Sequence, residues 1–421
     1  MQFIRLISSW FVVFTIIYCI SIFVTIIPSY FKHPVLIANI LLTFSIFVNI
    51  FLQNKLTIKL NSIDVKQFLS VVILIILVYF FRHLGKNGLS FTTLAYLTFI
   101  SLLTFLSLSV SIGIIRKTLK TYIFVIAGIS FFGLISWILF NFEFIDASEY
   151  LFSAYHFSDG KIGRELAYAY RLNNDQLAGY NAPFYFGLIT TANQPFDIFS
   201  FQFYRSSGWS HEPTTAACFL VPAYITLLFD KSLYSSRIRR IFLFLIALFY
   251  FTVFAIGSVI AVILTYLTYV FIINKKYKFS LKIFPSIFIF LISLLTIAFN
   301  STKISERFFT FSNSELVLSG SMYGVIHQIF WFLETDFGAF WIHKLLLVTL
   351  VVFTLTIAIK KARNSAHEHI GFAIAIIYYC LHGLKGSWQF IMVYGLFIFL
   401  LCVMFRFYNI KNETNKVSQL G

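Results

Sequence analysis

Arg205, His211 and Glu212 fall within eight residues of one another in FYRSSGWSHEP (203–213), immediately ahead of a long apolar run. The planar guanidinium of arginine matches the oxygens of a phosphate group. A carboxylate or imidazole beside it can orient that arginine or take a proton from a hydroxyl. Arg205, Gly208, Glu212 and Pro213 read as R-x-x-G-x-x-x-E-P. Proline suits the first turn of a helix, and Glu212 just before it can cap that helix and meet the positive end of its dipole. Those two residues therefore have a structural use already. Arg205 is different, because an arginine at the edge of an apolar span is costly unless it is paired or used.

A second group lies in ISERFFTFSNSELVLSGSMYG (304–324), where Arg307 precedes Ser319-Gly320-Ser321 and His327 follows. Two arginines from separate segments can hold a diphosphate without a metal, and the chain has no D-x-D pair to chelate Mg²⁺ beside a nucleotide-sugar. No set of side chains has metal-ligand spacing, and no cofactor motif is present. His343, in FGAFWIHKLLLV, stands at the mouth of a span and could act as a general base or hold a sugar hydroxyl. His382 opens the short HGLKGSW stretch near Lys385. Gly208, His211, Ser319, Ser321, His327 and Lys385 are the candidate substrate contacts around Arg205, Glu212, Arg307 and His343. His367 and His369, beside a basic run, read as solvated loop. Tyr180, Tyr185, Tyr204 and Trp209 could stack on sugar rings, but an interfacial aromatic belt predicts the same enrichment.

The elements that must position these groups are apolar helices. Hydrophobic residues make up 59% of the 421 and charged residues only 11%, far from the balance of a soluble domain. About 20 apolar residues cross the hydrocarbon. Spans are expected near 10–27, 35–52, 67–81, 89–111, 121–141, 212–229, 241–256, 257–273, 282–299, 345–360, 370–384 and 387–405. The run from Ile241 to Ile273 is too long for one crossing and is divided at Gly257-Ser258. The chain is expected to be an all-α polytopic membrane protein, one integral unit over 1–421 with about twelve transmembrane helices and a retained first span. Its net charge of +16 sits in short clusters such as Arg116-Lys117-Lys120, Arg237-Arg239-Arg240, Lys275-Lys276-Lys278 and Lys360-Lys361-Arg363. With both termini cytoplasmic these all fall inside, as the positive-inside rule requires, and no nucleic-acid partner is needed to explain them. Two long outer segments remain, 141–211 and 300–344. They are where function is expected, and GRELAYAYRLNNDQLAGY (163–180) has helical character. The four cysteines lie in apolar runs and offer no disulfide framework.

Twelve spans, an outer segment ending in R-x-x-G-x-x-x-E-P at a helix start, a helix pair broken at Gly-Ser, and a second segment with Arg307 and SGS before DFG and His343 together resemble the O-antigen polymerase and ligase superfamily. The turn here reads GSVIA, with no arginine after the serine, and the second segment is short. The resemblance implies a membrane-embedded, inverting, metal-independent glycosyltransferase of the bacterial inner membrane. Its donor would be an oligosaccharide on undecaprenyl diphosphate at the periplasmic leaflet. Its acceptor would be the terminal sugar of another lipid-linked repeat unit, and a chain-length regulator is a possible partner. In that reading Arg205 and Arg307 stabilise the leaving diphosphate, Glu212 orients Arg205 or the acceptor, and His343 or Glu212 takes the acceptor proton. A ligase using the same donor, with the lipid A core as acceptor, shares these motifs. A lipid-linked oligosaccharide flippase is the rival from another class, and it would want charge buried within the bundle. Arg205→Ala and Arg307→Ala are each expected to abolish transfer in a lipopolysaccharide assay while the protein stays in the membrane. A fully active variant at either position removes that residue from the diphosphate clamp.

Overall fold

The computed structural model describes residues 2–22, 33–53, 62–87, 90–142, 144, 171–172, 176–177, 180–181, 188–190, 196–198, 201–208, 210, 213–253, 255–274, 309–312, 315–318, 339–364, 369–383 and 395–418. Eleven α-helices lie among them: α1 (Gln2–Ser21), α2 (Pro34–Gln53), α3 (Ser62–Asn87), α4 (Phe91–Ser109) and α5 (Ile112–Asn141). The series continues with α6 (Pro213–Phe229), α7 (Ser236–Val253) and α8 (Ile256–Leu267), which runs on into a π-helical stretch, Thr268–Ile273. It ends with α9 (Ala339–Asn364), α10 (Ile370–His382) and α11 (Gly395–Ser418). Helices α2, α3, α4, α5 and α9 are long and apolar enough to cross a membrane, and five more carry shorter apolar stretches. The expected span at 282–299 lies outside the described residues.

Several helices run beyond the expected spans, α1 starting at Gln2, α3 covering Ser62–Asn87 and α9 covering Ala339–Asn364, and two further differences have a local cause. Helix α5 begins at Ile112 and not at 121, so Arg116, Lys117 and Lys120 are helical. The cause is Ser111, whose Oγ accepts from the Ile114 amide at 3.3 Å and starts the helix at once. Lys117 then reaches Ser9 Oγ at 3.2 Å and lies over the Trp10 ring. The division between α7 and α8 falls between Val253 and Ile256, ahead of Gly257-Ser258, because the amides of Ser258 and Val259 both return to the Ala255 carbonyl.

Hydrogen bonds between helix ends sort the bundle into two faces. At one end Lys117 meets Ser9, Tyr234 Oη donates to the Lys120 carbonyl, Arg363 Nε to that of Ile272, and Arg406 Nη1 to that of Ser107. At the opposite end Tyr18 meets Pro34, Asn39 meets Ala95, and Ser258 meets Tyr378. The described helices alternate between these ends. The π-helical stretch finishes at the basic end and α9 begins at the other.

The long segments hold short antiparallel strands, small additions to a predominantly α-helical fold. Strands β1 (Arg171–Leu172) and β2 (Gln176–Leu177) pair across residues 173–175, and β3 (Tyr180–Asn181) follows. This corrects the helical reading of 163–180 from residue 171 onward; residues 163–170 lie outside the described residues. Asn173, Asn174 and Asp175 are turn formers that compete with a helix for backbone hydrogen bonds. Strands β4 (Leu188–Thr190), β5 (Phe196–Ile198), β6 (Phe201–Phe203) and β7 (Arg205–Gly208) complete the first segment. The hairpin β8 (Phe309–Ser312) and β9 (Glu315–Leu318) lies in the second.

Helix α6 carries Pro222 in its interior. Proline has no amide hydrogen, so the carbonyl of Cys218 loses its partner in the helix. Tyr379 Oη of α10 answers this, donating to the Cys218 carbonyl at 2.7 Å; Tyr122 Oη of α5 donates to the neighbouring carbonyl of Phe219, which keeps the Ala223 amide as its helical donor. In an apolar bundle an unpaired carbonyl is costly, so the proline ties α6 to α10, and the Tyr122 bond adds a tie to α5. Tyr379→Phe is expected to lower stability by about 1–3 kcal/mol, read as a lower thermal midpoint in detergent. Combined with Pro222→Ala, which returns an amide to Cys218, most of that loss should disappear; an undiminished loss would show that the hydroxyl has another role.

Candidate functional site

The segment around Arg205 is seated in the mouth of the bundle by α5, α6 and α7. Trp137 Nε1 donates to the Tyr204 carbonyl at 2.8 Å, and the Tyr204 amide donates to Asn141 Oδ1 at 2.5 Å. The Trp137 and Phe203 rings stack with centroids 5.6 Å apart, and Phe140 meets Tyr204 edge-on. The last turn of α5 thus fixes both faces of the chain immediately before Arg205.

Strand β7 pairs with β4, Thr190 opposite Arg205 and Ile189 opposite Ser206, but Leu188 is opposite Gly208. Ser207 is therefore the extra residue of a β-bulge, a device that re-aims a strand. Gly208 has φ +57°, a conformation that costs an L-residue about 1–2 kcal/mol. A Cβ there would also lie 3.1 Å from Ile129 Cγ2 and 3.3 Å from the Phe249 ring. The Phe249 ring is held from the other side by Gly133, where a Cβ would come within 2.3 Å of it. Phe249 of α7 thus fills a hole formed by one glycine of α5 and one of the strand.

Ser206 and Ser207 are fully buried while Arg205 is half-buried. Beneath the strand, Ser207, Gly208, Ser210, Phe219 and Phe249 border a cavity of about 10 Å³, room for at most one water and none for a sugar ring. Among the described residues, this cavity beneath the strand has no room for a larger ligand. The chain turns through Ser210, whose amide donates to the Ser207 carbonyl at 2.9 Å, and enters α6 at Pro213 as the sequence suggests.

His343 is 2% exposed in the first turns of α9, and its Nδ1 lies 2.9 Å from the Val78 carbonyl of α3. A carbonyl only accepts, so Nδ1 carries the proton and Nε2 the lone pair. Arg205 and His343 are thus seated on different helices, α5 to α7 against α3. His211, Glu212, Arg307, Ser319, Ser321, His327 and Lys385 lie outside the described residues.

Sequence reading missed a chain of side chains at the same end. Tyr250 Oη of α7 donates to Ser258 Oγ of α8 at 2.9 Å, Ser258 Oγ lies 2.8 Å from Tyr378 Oη of α10, and Tyr378 Oη lies 3.4 Å from His382 Nδ1. The only hint in the sequence is Gly257-Ser258 inside an otherwise continuous apolar run. Among the described residues no cluster of metal-ligating side chains is found.

Fold and mouth together define an α-helical protein with helices of membrane-spanning length and a bulged strand locked into one end. The chain matches no family model, no curated protein and no solved structure. Gly208→Ala is expected to destabilise the mouth by roughly 1–2 kcal/mol from backbone strain alone. It should also raise protease cleavage between 190 and 210 in the membrane-embedded protein. Unchanged cleavage would show that the strand does not depend on the Phe249 contact.

Proposed function

We propose that the chain is a membrane-embedded glycosyltransferase that polymerises lipid-linked oligosaccharide repeat units at the periplasmic face of the bacterial inner membrane. The observation that carries this reading is Arg205 itself. It is a half-buried cation on a bulged strand, fixed in the mouth of an apolar bundle at the end opposite Lys117, Lys120, Arg363 and Arg406. With the basic end cytoplasmic, that mouth opens on the outer leaflet, where an undecaprenyl-diphosphate donor presents its glycan.

The chemistry follows from the donor. The bond that breaks joins the anomeric carbon to a diphosphate oxygen, so negative charge develops on the leaving group. A guanidinium held in place before the reaction stabilises that charge without reorganising. Trp137, Asn141 and the bulge supply that preorganisation for Arg205, with Arg307 as the second proposed cation. The donor is already activated, so the reading needs no nucleotide or metal. The acceptor is the terminal sugar of a second lipid-linked unit, whose hydroxyl loses a proton as it attacks from the opposite face. A regulator of chain length is the protein partner this activity would have.

The test is a lipopolysaccharide gel from a strain lacking the gene, beside the complemented strain. Core bearing a single repeat unit, with the ladder gone, is expected. Bare core with polymer retained on the lipid carrier would replace the reading with ligation. Single units trapped on the cytoplasmic side would replace it with flipping.

A further inference from the structure

Helix α7 faces α5 along one seam. Phe242 meets Phe124 edge-on with centroids 6.4 Å apart, and further along the seam Phe249 fills the hole at Gly133. Ile246 and Val253, both buried, continue the row, and the spacing is that of one helix face. One turn back from Phe242 the next position of that row is Arg239. A cation thus takes a place that Phe242, Ile246, Phe249 and Val253 fill with apolar side chains.

Arg239 is half-buried, and its Nε and Nη1 are shut off from solvent with no hydrogen-bond acceptor among the described residues. Other arginines at this end have one: Arg363 Nε reaches the Ile272 carbonyl, Arg406 Nη1 that of Ser107, and Arg240 Nε that of Ser236. Asp230, at the start of the turn between α6 and α7, instead accepts from the Ser232 amide and hydroxyl at 3.0 and 2.6 Å. Further positive charge stands alongside. Tyr234 packs on Phe242 and donates to the Lys120 carbonyl at 2.6 Å, so the Lys120 turn of α5 lies level with the start of α7. Arg116, Lys120 and Phe124 are exposed and spaced four apart, a single stripe of α5 that ends at the Phe242 contact. A guanidinium partly withdrawn from water with unmet donors is costly, and two neighbouring cations add to that cost. An anion among the three would offset it.

The same place has an apolar side. Away from the basic end, exposed Phe124 on α5 and exposed Ile241, Phe244 and Leu248 on α7 flank the seam. A soluble anion makes no use of that surface, whereas acyl chains do. We propose that Arg239, Lys120 and Arg116 hold the phosphate of one anionic phospholipid from the leaflet at the basic end, with its acyl chains along α5 and α7. Turned outward about its last torsions, the Arg239 fork offers the phosphate two parallel N–H donors. Lys120 and Arg116 attract the headgroup as basic residues at a membrane surface do. The site lies at the end opposite Arg205, and the proposal is independent of glycosyl transfer.

The test titrates phosphatidylglycerol into the full-length protein in neutral-detergent micelles, read by native mass spectrometry and by the thermal midpoint. One phosphatidylglycerol should be retained per chain and the midpoint should rise. Equal concentrations of phosphatidylcholine or of soluble glycerol phosphate should leave it unchanged. Arg239→Leu, which continues the apolar row, should weaken retention at least about tenfold, the worth of a hydrogen bond to a charged group. Lys120→Gln should weaken it roughly fivefold, the worth of one basic residue at a membrane surface. Unchanged retention in Arg239→Leu overturns the proposal. So does phosphatidylcholine retained as tightly, because charge is then not read, and so does an equal rise with glycerol phosphate, which would make the occupant a soluble phosphate. Should Arg239→Leu fail to accumulate, the double variant Arg116→Gln with Lys120→Gln decides, since both side chains are exposed; unchanged retention there overturns the proposal as well.

Discussion

An apolar surrounding offers no water to an unpaired backbone group, so each carbonyl within the bundle needs a donor from the protein. Helix α6 violates its own ladder at Pro222, the tyrosine that repairs it comes from α10, and a second tyrosine from α5 bonds the next carbonyl. Non-directional apolar contact would let three such helices slide against one another. Hydrogen bonds to particular carbonyls do not. The mouth of the bundle is therefore referenced to one residue in its depth. Helix α5 carries Trp137 and Asn141, α6 begins at Pro213 beside the strand, and α10 ends at His382.

The second dependence is steric. Phe249 has a place only because neither Gly133 nor Gly208 has a side chain. With the ring in that hole, α7 approaches α5 closely, and the strand is held down at the residue where its backbone turns left-handed. The bulge at Ser207 follows, since the strand must leave the β4 ladder to reach this contact. Arg205 then occupies the first position of a strand fixed at both ends, between the Tyr204 clamp and Gly208.

These two constraints meet at the α7–α8 division. Tyr250 adjoins Phe249 on the same helix, and its hydroxyl begins the chain that reaches His382 through Ser258 and Tyr378. The cation of the strand and the imidazole of α10 are in this way supported by a common piece of backbone.

Much of this was legible in the residues. Apolar runs of spanning length, the start of α6 at Pro213, and the basic clusters at one end follow from local composition, because a helix in apolar surroundings satisfies its own backbone whatever its neighbours are. Arg205 was legible as well, since a cation at such a boundary stands out against its surroundings. Less visible were the strands after residue 171, where Asn173-Asn174-Asp175 announced a turn that helical periodicity on either side concealed. Invisible were the partners. Pro222 signals a missing hydrogen bond but does not say that Tyr379, far along the chain, will replace it. Gly133 and Gly208 do not declare that they flank one ring, and no spacing relates Tyr250, Ser258 and His382. Sequence by itself determined that the chain forms apolar helices and where charge concentrates, because those properties are local. Which side chains meet at the mouth was decided only by tertiary packing, because contacts between distant segments depend on helix–helix geometry that no local pattern encodes.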